Sequence, residues 1–329
     1  MTKRDRVLAA LAHEHVTPVP WQLNLSEDIS KRLRKELGYD VYLNSGSHLA
    51  CATNESYTKI SETHVMDMYG VTWNREQEGD FGVVEHYLLN EPNLGGYVFP
   101  VPDEEQVRRK CVGLEKQTDK FRVYVMGFSL FERAWALRSM LEILVDFIEN
   151  KSFVHSLFEK IIEYNTSVID IVAKHDIDCI LFGDDWGQQK GLIMGAPIWR
   201  EFIKPYLRRM YDQVKSYGMF VALHSCGDIS EIFNDLVELK LDIYNTFQPE
   251  IYDIEEMKSK YGSDVTFYGG ISTQRLLPVC TPEVVRRETK RIINIVGRNG
   301  GYVCAPTHAM PNDIPTENVL AFLDAVQNQ

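Results

Sequence analysis

From residue 103 onward, short apolar runs alternate with amphipathic stretches of about ten residues or more. The runs are Phe121–Phe128, Cys179–Phe182, Met219–Leu223, Leu241–Phe247, Val265–Tyr268 and Tyr302–Ala305. Helical patterns fall between them, at 103–111, 130–149, 152–175, from Pro197 to Tyr217, 229–239, 253–261, from Thr281 to Val296 and from Pro315 onward. Such alternation means parallel β/α units, because returning a chain to a parallel strand takes a crossover of a dozen residues or more, usually a helix. Upstream, a helix over 2–14 carries Val7, Leu8 and Leu11 on one face, and Val16–Leu25 reads as a proline-punctuated first strand. Ser26 and Gly38 bracket a second helix, and 55–68 is predicted to be helical. From Tyr69 to Pro102 short strands and turns take over, without a flanking linker. About seven or eight strands, with no G-x-G-x-x-G after the first, favour a closed barrel over a doubly wound sheet. The expectation is an α/β chain: one TIM (β/α)8 barrel domain over 1–329, with an N-terminal helical extension and a small β-rich insertion at about 69–102.

Composition removes several classes of function. Lys and Arg number 35 against 47 Asp and Glu, a net charge of −12. That argues against nucleic acid or an anionic membrane as the principal partner. The chain has no uncharged apolar run long enough to span a bilayer, and its charged start is not followed by a leader-like apolar stretch. A cytoplasmic location is the expectation. The six cysteines are scattered without a C-x-x-C pair, so they are not a disulfide framework. A homodimer is compatible with this composition.

A barrel puts the C-terminal ends of all its strands on one face, where barrel enzymes keep their active sites. Strand ends here carry Trp21, Asn24, Phe128, Asp184, Asp185, Trp186, His224, Cys226, Gln248, Cys304 and His308. His224 and Cys226 end the Met219–Leu223 run and, two apart in extended chain, point the same way. An imidazole and a thiolate converging there suit zinc, although for H-x-C alone a buried cysteine beside a hydrogen-bonded histidine is the commoner arrangement, and the rest of the chain must decide. A catalytic zinc needs a third protein ligand. His308 is preferred because a loop residue can reach over the mouth; Cys304 is the alternative, or a wall residue. Asp184 and Asp185 are candidate acid/base groups, Asp184 ahead, one of them otherwise capping a loop. Trp21, Asn24, Phe128, Trp186 and Gln248 are candidate substrate contacts.

The segments LFGDDWGQQ (181–189), APIWREFIKPY (196–206), LHSCGDI (223–229), FYGGISTQ (267–274) and APTHAMPNDIPTEN (305–318) resemble the uroporphyrinogen decarboxylase superfamily. The resemblance implies a TIM barrel. That superfamily holds cofactor-free porphyrin decarboxylases and zinc-dependent, cobamide-linked methyltransferases. The decarboxylases hold acidic porphyrin side chains with an arginine-containing motif after the first strand, where this chain reads Trp21-Gln22-Leu23-Asn24-Leu25-Ser26. The methyltransferases carry H-x-C at the position of His224 and Cys226, with a third ligand, a cysteine, in the last loop, where this chain has His308. The resemblance therefore implies zinc on His224, Cys226 and His308. It also implies methyl transfer between a small substrate and a corrinoid protein that supplies the cobamide. The change of third ligand favours demethylation, for example of a methyl ether, over thiol methylation. The alternatives are a cofactor-free decarboxylase acting through His308 and an aspartate, and a non-catalytic tetrapyrrole- or corrinoid-binding scaffold.

Overall fold

The computed structural model describes residues 1–76 and 82–329. In chain order the strands are β1 (Leu49–Thr53), β2 (Tyr57–Lys59), β3 (His64–Asp67), β4 (Thr72–Asn74), β5 (Val83–Val84), β6 (Phe121–Met126), β7 (Cys179–Gly183), β8 (Phe220–His224), β9 (Ile243–Phe247), β10 (Thr266–Ile271) and β11 (Tyr302–Pro306). Seven of them pair in the order β1-β6-β7-β8-β9-β10-β11, every pair parallel. The gap between β11 and β1 is filled by the segment around Trp21. Gln22 N–H donates to Cys304 O at 2.9 Å, Cys304 N–H to Pro20 O at 2.8 Å, and His48 N–H to Trp21 O at 3.0 Å. Pro18 and Pro20 have no N–H to give, so this expected first strand is reduced to isolated bridges. The result is a TIM-like barrel.

Strand alternation sorts its two sides. Leu49, Phe121, Val123, Cys179, Leu181, Ala222, Ile243, Tyr268, Val303 and Ala305 fill the barrel interior. Tyr124, Ile180, Phe182, Val221, Leu223, Tyr244 and Cys304 point outward into the layer shared with the helices. The N-terminal helix Lys3–Leu11 plugs the lower end: Val7 joins the interior cluster, with Leu8 and Leu11 packed against it. Its first turn is closed by a reciprocal cap between Thr2 and Asp5.

Two further sequence expectations change, and one strand is added. Residues 55–68 are not helical; they hold β2 and β3 of a four-stranded antiparallel sheet, order β2-β3-β4-β5. The Asp67 carboxylate turns the chain there, accepting from Tyr69 N–H, Val71 N–H and Trp73 Nε1–H at 2.9–3.1 Å. Residues 77–81 of the expected insertion lie outside the described residues. Strand β1, with its short LACAT run of mostly small side chains, was not expected. The helical pattern at 130–149 is two helices, Phe131–Arg138 and Met140–Glu149, broken at Ser139 with φ 89°. Among the described residues no helix is long and apolar enough to cross a membrane.

Candidate active site

Strand β7 is buried along its whole length, residues 179 and 181 facing inward and 180 and 182 outward. Asp184 continues the outward row and Asp185 the inward one. The Asp184 carboxylate accepts from Phe131 N–H (3.0 Å), Glu132 N–H (2.7 Å) and the Trp186 indole N–H (2.7 Å). It thus caps the helix Phe131–Arg138 from outside, where the free N–H groups and the helix dipole favour an anion. Burial raises its pKa, and those donors offset part of the rise. Asp185 instead lines the mouth, and its Oδ1 accepts from Cys226 N–H at 2.8 Å.

His224 closes the inward row of β8. Its Nδ1 lies 2.6 Å from Asn245 Oδ1. The Asn245 amide nitrogen is occupied, donating to Tyr268 O at 2.9 Å, so the amide oxygen accepts from Nδ1–H. That leaves the Nε2 lone pair of His224 facing Cys226, with Sγ 3.8 Å away. The loop after β8 is set by close backbone contact. Gly227 takes φ 76°, and a Cβ on it or on Gly187 would strike the other's main chain. Gln248 Oε1 accepts from Gly227 N–H at 2.9 Å, and the Tyr252 hydroxyl donates to Gly227 O at 2.8 Å.

Among the described residues, the Asp185, His224 and Cys226 ligand atoms lie within 4.8 Å of one another. Nitrogen and sulfur donors at ordinary zinc bond lengths and a tetrahedral angle sit roughly 3.5 Å apart, so the 3.8 Å pair is close to what one ion requires. Burial, and then the Asp185 carboxylate, push the Cys226 thiol up. A cation between them would reverse that effect. The His308 ring stands edge-on to that of His224, centroids 5.5 Å apart.

These groups open on a cavity of ≈ 340 Å³. Glu55 and Glu132 line it with Asp185, and Phe128, Asn24, Asn245, Tyr268 and Thr307 complete much of its wall. Burial raises Glu55, and burial and the nearby Asp185 and Asp184 hold Glu132 well above the usual carboxylate range. No Lys or Arg is among the described lining residues.

Residues 108–329 match the family model described as uroporphyrinogen decarboxylase (URO-D). The chain belongs to the URO-D family. It is 22% identical over 358 residues to the uroporphyrinogen decarboxylase of Actinobacillus pleuropneumoniae serotype 5b, covering 98% of this chain and 96% of that one. With the uroporphyrinogen decarboxylase of Methylococcus capsulatus it shares 24% over 185 residues, 54% of this chain and 49% of that enzyme. A methylated-thiol–coenzyme M methyltransferase of Methanosarcina mazei is 26% identical over 146 residues, 44% of this chain and 37% of that protein. In fold, a methyltransferase from Methanosarcina mazei superposes with a TM-score of 0.77 at 18% identity, covering 100% of this chain and 99% of the other. Its named relatives are enzymes of both kinds.

Within this URO-D member the sequence-derived candidates separate. Asn24, Phe128, Asp185, His224 and His308 line the cavity, with Cys226 beside them. Asp184, the preferred aspartate, does not: it is fully buried as a helix cap. Trp186 is fully buried against Trp199 and bound to Asp184, and Trp21 packs on His48, so neither walls the pocket. Gln248 holds the loop backbone and not the cavity. Cys304 faces outward from β11 into the helix layer, which removes it as a ligand at the mouth. Glu55 and Glu132 were missed because each lies off a recognised strand end, one after the unannounced β1 and one in the first turn of a helix. No sequence signal marked Glu55, because the strand it follows was itself unannounced.

Proposed function

We propose that this chain is a zinc-dependent methyltransferase moving a methyl group between a small substrate, such as a methyl ether, and a corrinoid protein. The observation that carries the reading is the convergence of His224, Cys226 and Asp185 donor atoms at the mouth of the cavity. His224 and Cys226 would hold zinc, with Asp185 or His308 as the third ligand. Bound zinc would supply Lewis acidity toward the heteroatom that carries the methyl group, and the partner's cobamide would supply the methyl-accepting metal. Asn245 fixes the His224 ring, so that its Nε2 faces the site without a proton. Glu132 faces the same cavity and is the group suited to hold a proton for the departing oxygen. Phe128 and Asn24 bound the substrate.

A decarboxylase reading draws support from the full-length similarity to the Actinobacillus enzyme. A cavity lined by carboxyls, without an arginine or lysine among its described residues, counts against the polycarboxylate substrate that reading needs. Metal content tests the choice, on protein purified without added metal and on Cys226→Ala. About one zinc per chain, reduced to about a tenth or less in the variant, is the expected result. Folded wild-type protein without zinc would overturn methyl transfer by this route and leave the decarboxylase.

A further inference from the structure

The loop that carries Cys226 has no strand ladder to hold it. Strand β8 ends at His224, and residues 225–229 run on without regular secondary structure, although Ser225 and Ile229 are fully buried. Buried main-chain groups need partners, and here side chains supply them. On the β7 side Asp185 receives the Cys226 N–H. On the other side the partners come from β9 and the turn that follows it. Gln248 Oε1 receives the Gly227 N–H at 2.9 Å. The Tyr252 hydroxyl donates to Gly227 O at 2.8 Å and accepts from Ile229 N–H at 3.1 Å. The Tyr244 hydroxyl stands 3.0 Å from that of Tyr252 and 3.2 Å from Ser225 O.

The Tyr252 phenol is itself well fixed. Its ring is buried, stacked on Phe247 with centroids 6.2 Å apart and edge-on to Tyr244 at 6.1 Å. Its main-chain N–H donates to Gln248 O at 3.0 Å, which ties the two side chains that grip Gly227 to one another. A single hydroxyl thus bridges the residues on either side of Asp228, where the main chain turns through Gly227 at φ 76° against Gly187. Strand β9 fixes the other donor as well, because Asn245 orients the His224 ring. Both members of the 3.8 Å sulfur–nitrogen pair therefore take their positions from one strand and its turn. Losing the Tyr252 hydroxyl would leave a buried carbonyl and a buried N–H unpaired and free the thiol's backbone to move, although the phenol touches neither donor atom.

We infer that Tyr252 is a positioning residue of this site, whose hydroxyl holds the 225–229 main chain so that Cys226 Sγ stands opposite His224 Nε2. That this placement serves a metal ion rests on the methyl-transfer reading, so the test has one readout with metal and one without. Tyr252→Phe keeps the ring and removes the hydroxyl. Tyr211→Phe is the control, since the Tyr211 hydroxyl is buried without a hydrogen-bond partner among the described residues. Thermal melting checks that each variant folds. Cobalt(II) is titrated into metal-free protein and followed by the thiolate-to-cobalt absorption, which reports sulfur bound to the ion. Tyr252→Phe is expected to weaken cobalt binding about tenfold or more, and Tyr211→Phe to match wild type. In metal-free protein, hydrogen exchange of a peptide spanning 225–229 is expected to be several-fold faster in Tyr252→Phe and unchanged in the control. Equal cobalt affinity in wild type and Tyr252→Phe, or unchanged exchange, overturns the inference. Tyr244→Phe, which takes one support from the Tyr252 hydroxyl, is the milder variant should Tyr252→Phe not fold: a loss of affinity in the same direction supports the inference, and none overturns it. Wild-type protein that takes up no cobalt counts against the methyl-transfer reading; exchange then decides on Tyr252, faster exchange supporting its role and unchanged exchange ending it.

Discussion

The two ends of the barrel grow from the same inward-facing rows, yet they treat charge in opposite ways. At the lower end Val7, Leu8 and Leu11 close the interior, and the charges there are paired. Asp178 accepts from the Arg4 guanidinium at 2.6 Å and from Arg122 N–H at 2.8 Å. At the upper end Asp185, Glu55 and Glu132 meet one another around an open cavity, with no lysine or arginine among its described lining. The lower end is organised for stability, where a buried charge needs its partner in the fold. The upper end gathers carboxyls in a desolvated space, where burial raises Glu55, and burial with the neighbouring aspartates raises Glu132, a perturbation that clusters at functional sites. His224 and Leu181 both line the cavity from one continuous interior, one with a polar ring and the other with an apolar side chain.

That contrast breaks most visibly at the aspartate pair. Asp184→Ala leaves two backbone donors and an indole N–H without their acceptor; a loss of about 4 kcal/mol is expected in urea unfolding. Asp185→Asn, at the neighbouring position, is expected to stay within about 1 kcal/mol of wild type while weakening metal retention. If Asp184→Ala were as stable as Asp185→Asn, the division between cap and site would fail.

The lower end makes its own prediction through His48, which sits just before β1 and receives the Trp21 N–H. Burial first, and then the positive Arg6, hold its imidazole down to about 4 from the ordinary 6.5. Between those values the unfolded chain binds more protons than the folded one, so stability is fully present above pH 6.5 and is lost as pH falls toward about 4. The loss is expected to be roughly 3 kcal/mol, and His48→Gln should flatten that limb of a denaturation-versus-pH curve. An unchanged limb would assign the acid sensitivity elsewhere. A purely apolar test lies at the plug. Val7→Ala should cost about 2 kcal/mol without changing zinc content, since Val7 is fully buried in the interior apolar cluster at the opposite end of the barrel from the cavity.

Much of the barrel was legible because its cause is local. Apolar runs such as Met219–Leu223 became β8 nearly as written, and Thr281-Pro282 opens the helix Pro282–Val296. The failures also have local causes. Residues 49–53 are a short run of mostly small side chains, and after 57–67 the chain turns on the Asp67 carboxylate, which no periodicity reports. The H-x-C pair was visible in the sequence, as was a histidine to face it in the last loop. The role expected of Trp21 and Trp186 was not kept, because large rings next to a strand end pack into the helix layer as readily as into a mouth.

What the sequence by itself determined was the rhythm of strands and helices and the presence of His224 and Cys226 on one face. Both follow from chain geometry alone, a period of two along a strand and a minimum crossover length. Which aspartate faces the cavity was decided by tertiary structure. A strand buried on both sides, like β7, shows no polar alternation from which its inward row could be read. The meeting of Glu55, Glu132 and Asp185 was decided in the same way, since they come from three separate β/α units and approach only when the barrel closes.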